Sequence, residues 1–147
     1  MTVGNSALQR RDEPRLLSDV IGEDEARVAA VRKAAGKDAE LFIDANCSLD
    51  YFHAVELAGA LAPYHISFFE EPITQNDVLQ MAELRHQTGM RVACGQNEAQ
   101  SYRFRDMLVA GAVDIVQPNV VITGGFTQCQ KIAALASGFN VGIDNGG

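Results

Sequence analysis

Apolar residues gather in short runs along this chain, and from about residue 24 those runs alternate with longer amphipathic stretches. The runs are ELFID (40–44), ISFFE (66–70), RVACG (91–95), VDIVQ (113–117) and NVGID (140–144). Each is rich in Val, Ile or Phe and not cleanly alternating, the pattern of a strand buried on both faces. The stretches between them suit helices. Asp24 to Ala35 opens with acids and closes with bases ahead of Gly36, matching the helix dipole and a glycine stop. Segments 49–61, 76–88, 101–110 and 127–137 have similar character, with Asp77 or Asn76 and Ser101 as N-terminal caps. Residues 5–22 mix charges with a proline and a small apolar cluster, and read as a long loop able to carry a short helix.

A β-α-β-α order predicts a parallel sheet with right-handed crossovers. The polar residues that end successive runs fall at Asp44, Glu70, Gln96, Asn119 and Asp144, in steps of 26, 26, 23 and 25 residues. A near-constant unit with a polar group at every strand's C-terminal end predicts an α/β fold: a partial (β/α) TIM-type barrel of about five to six parallel strands. A doubly wound open sheet is the alternative, but its usual glycine-rich turn, GxGxxG, is absent. Gly124-Gly125 precedes a helical stretch and reads better as a tight βα turn than as a phosphate cradle. A whole barrel takes roughly 250 residues, so residues 1–147 are expected to form one partial barrel domain, with the terminal units and any capping domain missing. Open strand edges would leave it marginally stable or lead it to pair with another chain, a second copy included.

Composition narrows the class. Hydrophobic residues at 47% and charged residues at 21% describe an ordinary globular protein. A net charge of -7 and a pI near 4.8 argue against a nucleic-acid surface or a polybasic membrane anchor. No apolar run reaches the length of a membrane span, and the N-terminus carries no signal-like apolar core, so the cytoplasm is the expected location. Cys47, Cys94 and Cys129 form no CxxC pair and read as reduced packing thiols. His53, His65 and His86 show no metal-ligand spacing.

The strand ends hold the candidate chemistry. Asp44, Glu70 and either Gln96 or Glu98 would converge if neighbouring parallel strands present them at one level. Three oxygen ligands on adjacent strands suit a hard divalent cation. A single strand-end acid is ordinarily solvated or caps the next helix; repetition on consecutive strands is what points to a metal.

Asp44-Ala45-Asn46 followed by Glu70-Glu71-Pro72 resembles the metal-binding strands of the enolase superfamily, in its mandelate racemase and muconate lactonizing branch. The segments DEARVAAVRKAAGKDAELFIDAN, VDIVQPN and TGGF (123–126) are similar to the same branch. The resemblance implies a barrel domain that binds Mg²⁺, joined to a capping domain. The metal stabilises the negative charge formed when a base removes the proton next to a substrate carboxylate. Many members dehydrate acid sugars; others racemise or cycloisomerise. On this chain the resemblance puts Asp44 and Glu70 on the first two metal ligands and Glu71 on a supporting carboxylate. It puts Asn46 on a position that contacts substrate or metal-bound groups. The third ligand is usually a glutamate after a glycine, and here that place holds Gln96, with Glu98 in reserve.

The family's catalytic bases find no counterpart. Met1–Gly4 falls on the lysine-bearing strand, with Thr2 where the second lysine would be. Asn119, a candidate substrate contact, stands where the racemase subgroup has an aspartate. Gly146 or Asn145 stands where that subgroup has a histidine. Asp144 is left as the candidate acid or base. The expected function is Mg²⁺-dependent lyase chemistry on a small-molecule carboxylate, foremost acid-sugar dehydration. The alternatives are an inactive fragment that keeps weak divalent-cation binding and a phosphate-binding (β/α) module.

Overall fold

The computed structural model describes residues 17–146. Its elements alternate as the hydrophobic pattern requires: α1 (Leu17–Ala35), β1 (Phe42–Asp44), α2 (Tyr51–Leu61), β2 (Phe68–Glu70), α3 (Val78–Thr88), β3 (Val92–Cys94), α4 (Ser101–Val109), β4 (Ile115–Val116), α5 (Val120–Thr123), α6 (Phe126–Gly138) and β5 (Gly142–Ile143). The five strands form one parallel sheet in the order β1-β2-β3-β4-β5. That sequential order fits the predicted partial TIM-type barrel. No described helix is long and apolar enough to cross a membrane.

Side chains alternate across the strands. Phe69, Val92, Cys94 and Val116 are fully buried and join the core with Leu57, Leu61, Met81, Leu84, Phe104, Met107 and Ile132. Phe42, Asp44, Phe68 and Glu70 take the other face. There the rings of Phe42 and Phe68 stack with centroids 4.8 Å apart. The expectation of strands buried on both faces holds for β3 and fails at the edges: Phe42 is 60% exposed and Ile143 48%. β1 and β5 each pair with a single neighbour among the described residues, so one flank of each stays open.

Helix boundaries follow local chemistry. Asp77, rather than Asn76, caps α3, accepting from the backbone N–H groups of Leu79 (3.1 Å) and Gln80 (2.9 Å). Gly36, at φ +86°, ends α1 and donates to the Arg32 carbonyl (3.0 Å). Three expectations need correction. The helix expected from Asp24 begins at Leu17, because Ile21 is buried in the core and Gly22 alone does not stop a helix anchored by packing. The rest of the expected loop, residues 5–16, lies outside the described residues. Ser101 is not a cap: Gln100 holds that position at φ +73° without a side-chain hydrogen bond. Finally, Gly124-Gly125 turns between two helices, α5 and α6, rather than out of a strand.

At the end of the sheet away from these strand tips, Arg85 of α3 forks onto Asp114, with its Nε 2.7 Å from Oδ2, and also reaches the Gly111 carbonyl. The same Asp114 oxygen accepts from the Val92 backbone N–H (2.9 Å), so one ion pair joins α3, β3 and the entry to β4.

Candidate metal centre at the strand tips

Parallel pairing sets Asp44 opposite Glu70 at the carboxyl ends of β1 and β2. Glu70 is half-buried, and its carboxyl is pushed above the usual range, first by burial and then by the negative charges of Asp44, Glu71 and Asp144. A side-chain hydrogen bond from Gln117 opposes that shift. Asp44, Glu70 and Asp144 thus share one field. Asp144 is carried there by β5, its backbone N–H bonded to the Val116 carbonyl (3.0 Å).

Glu71 lies beneath them, fully buried and with a backbone φ of +39° that few non-glycine residues adopt. Its backbone is fixed on both sides, the N–H donating to the Ala93 carbonyl (3.0 Å) and the C=O accepting from Cys47 (2.7 Å). Its carboxylate accepts from the Asn97 backbone N–H (3.3 Å) and the Asn97 amide, from Asn76 Nδ2 (3.2 Å) and from Gln96 Nε2 (3.4 Å). The Cys47 thiol adds a longer contact at 3.4 Å. A buried anion is tolerable when donors surround it, and here those donors are mostly amides. They also pin the turn after β3.

That turn begins at Gly95, where a Cβ would stand 2.5 Å from the Phe104 ring. It carries Gln96, Asn97 and Glu98. Gln96 spends its amide N–H on Glu71. Glu98 faces elsewhere: it accepts from Arg103 Nε (2.8 Å) and Nη2 (3.3 Å) and from Asn76 Nδ2 (3.1 Å), with 12% of its side chain exposed. Asn76 therefore bridges Glu71 and Glu98. Asn46, at φ +45°, donates its backbone N–H to Asp44 Oδ1 (2.7 Å) and accepts from Asn97 Nδ2 (3.3 Å). Asn119 caps α5, its Oδ1 accepting from Val121 N–H (2.9 Å).

Two of the thiols are held protonated. Burial, then Glu71, pushes Cys47 up to about 12, and burial pushes Cys94 well above its ordinary value. All three cysteines are free. Among the described residues no three Asp, Glu, His or Cys side chains gather in an arrangement that would hold a metal ion. The place after Gly95 holds the carboxamide of Gln96, and Glu98 is engaged by Arg103.

Sequence reasoning left Gln117 without a role. It is 4% exposed, and its Oε1 has no partner. A polar residue closing the apolar run VDIVQ was the available signal.

A sequential parallel sheet with helices between its strands fits a partial (β/α) barrel, here with acids at the carboxyl tips of its strands. The chain belongs to the Enolase C-terminal domain-like family, whose profile matches residues 6–146. It is 34% identical over 128 residues to D-gluconate dehydratase of Thermoproteus tenax, covering 87% of this chain and 26% of that protein. It is 39% identical over 117 residues to D-galactarolactone cycloisomerase of Agrobacterium fabrum, covering 80% and 31%. Among solved structures, a racemase from Streptomyces coelicolor with bound magnesium superposes with a TM-score of 0.84 at 33% identity, covering 86% of this chain and 36% of that one. The chain thus spans about a quarter to a third of the length of these relatives.

Proposed function

We propose that residues 1–147 form a partial barrel domain of a Mg²⁺-dependent, dehydratase-like enzyme that removes the proton next to the carboxylate of an acid sugar. The observation that carries this reading is the register of β1 and β2, which sets Asp44 opposite Glu70 at the strand tips, in a negative field to which Glu71 and Asp144 add. A hard divalent cation relieves such a field, and the donors at hand are oxygens, which fits Mg²⁺. Asp44 and Glu70 would hold it, with the Gln96 carbonyl oxygen third; Glu98 is already engaged by Arg103. When bound, Mg²⁺ supplies positive charge that stabilises the anion left by proton removal. A carboxamide in third place removes one negative charge from the set, so affinity is expected to be modest.

The chain's own residues do the rest. Glu71 accepts from Gln96 and Asn97 and so holds the 95–98 turn against the strand tips. Asn46 lies at the mouth beside Asp44 and is the first candidate to touch substrate. Asn119 spends its oxygen on the α5 cap, which leaves its amide N–H for a ligand. Asp144 is the acid or base available at the tip of β5.

The test is thermal denaturation of the 147-residue chain with and without Mg²⁺, joined to mass spectrometry of acid sugars incubated with it. Mg²⁺ is expected to raise the Tm, and Asp44→Asn or Glu70→Gln to abolish the rise. Glu70→Gln should also raise the Tm of the metal-free chain, since it removes a desolvated, repelled charge. A wild-type chain indifferent to Mg²⁺ would sink the metal reading. A second reading, cation binding without turnover, is favoured by the carboxamide at Gln96 and the engaged Oδ1 of Asn119. A Mg²⁺ shift without loss of water from any acid sugar would support it over the first.

A further inference from the structure

We propose that Asn97 reads the ligand of this site: together with Asn46 it presents one acceptor and one donor, set for the adjacent hydroxyls of a dihydroxy acid. The two residues stand 51 positions apart in sequence, yet their side chains meet head to tail, Asn97 Nδ2 donating to Asn46 Oδ1 (3.3 Å).

One buried group fixes the direction of both amides. The Glu71 carboxylate is fully buried and a carboxylate accepts, so the end of Asn97 that meets it is the NH₂ end. That same NH₂ reaches Asn46, which therefore offers it the carbonyl oxygen. Two groups are left over. Asn97 Oδ1 and Asn46 Nδ2 make no hydrogen bond among the described residues. Turning the Asn97 amide over would set its oxygen against a carboxylate, so the leftover acceptor keeps its place.

Both side chains are exposed, and a ligand at the strand tips can touch them. Each is anchored at its base. The Asn97 backbone N–H donates to Glu71 Oε1 (3.3 Å), and the Asn46 backbone N–H donates to Asp44 Oδ1 (2.7 Å). The second bond sets the pair beside one of the proposed metal ligands. A hydroxyl both donates and accepts, so adjacent hydroxyls can donate to Asn97 and accept from Asn46. A carboxylate has no proton to offer Asn97, and neither has a methyl group. That the ligand is an acid held by the metal rests on the function proposed above.

Calorimetry on the full 147-residue chain at saturating Mg²⁺ tests this with D-glycerate and D-lactate. Both carry a carboxylate with a hydroxyl beside it, and only glycerate has the next hydroxyl. The wild type is expected to bind glycerate about tenfold more tightly, the effect of one net hydrogen bond. Asn97→Leu, similar in size but without the acceptor, is expected to erase that preference. A role in folding alone would weaken both acids together and leave the ratio as it was, and that result overturns the assignment. Should Asn97→Leu fail to fold, Asn46→Asp decides, since it keeps the oxygen that Asn97 needs and removes the donor. The preference is expected to drop there too, and a preference that survives sinks the proposal. A wild type that binds Mg²⁺ without preferring glycerate overturns the pair and leaves the metal reading standing. One that binds neither Mg²⁺ nor either acid overturns both.

Discussion

At the scale of single residues, the site is built around a carboxylate that never meets solvent. Glu71 is satisfied by amides, and Cys47 is forced to stay protonated beside it. A thiol moved from 9.0 to about 12 carries on the order of a thousandfold less thiolate at pH 8. Iodoacetamide at pH 8 should therefore alkylate Cys47 a hundredfold or more slowly than a free-cysteine peptide, roughly; comparable rates would show that the pocket opens. The pH dependence has a definite sign. Because the folded value is raised, the stability this thiol carries is full below about pH 9 and is lost as the pH climbs toward 12. Much of this neighbourhood was legible in advance. The 26-residue step from Asp44 to Glu70 set two acids at the tips of adjacent strands, and the register pairs them. Two features escaped. Sequence put Gln96 first as third ligand with Glu98 in reserve, but it could not show that Arg103 engages Glu98. Gln117 reads as the last residue of a strand until its empty acceptor is seen.

At the scale of elements, glycine and capping residues set where each strand hands over to its helix. Gly95 sits at φ +130° with the Phe104 ring where a side chain would go. Gly95→Ala is expected to cost about 2–4 kcal/mol, lowering the Tm by roughly 5–15 °C and displacing the turn that carries Gln96. Gly59, inside α2, meets nothing within 4 Å of an added Cβ. Gly59→Ala should stabilise by about 0.5–1 kcal/mol and serves as the control; equal effects of the two would refute the packing argument. Asp77 was readable as a cap because a short acid before an apolar run has few other uses. Ser101 was not, because the chain enters α4 through the positive φ of Gln100, which no side-chain pattern announces. Nor was α5, since four residues are too few to show a helical period. The early start of α1 was hidden for a different reason: packing of Ile21, not propensity, extends it.

At the scale of the whole molecule, the sheet leaves apolar surface uncovered. Phe42 and Phe68 stack on the face away from the helices, and Phe42 lies beside the unpaired flank of β1. Such an edge invites pairing. Sedimentation velocity is expected to show concentration-dependent association of the chain, weakened about tenfold or more by Phe42→Lys, a charge of the kind that protects natural edges. A strictly monomeric wild type would rule this out. The strand order has one more consequence. Because every strand among the described residues bonds only to its neighbours in sequence, this part of the chain is a linear stack of repeating β/α units, each leaning on the one before and the one after. Cooperativity in such a stack is local and strongest in the middle. Thermal fluctuation is then expected to work inward from β1 and β5, with β3 the last to let go. The carboxylates straddle that expected gradient: Glu70 is on β2 beside the centre, while Asp44 and Asp144 are at the two margins.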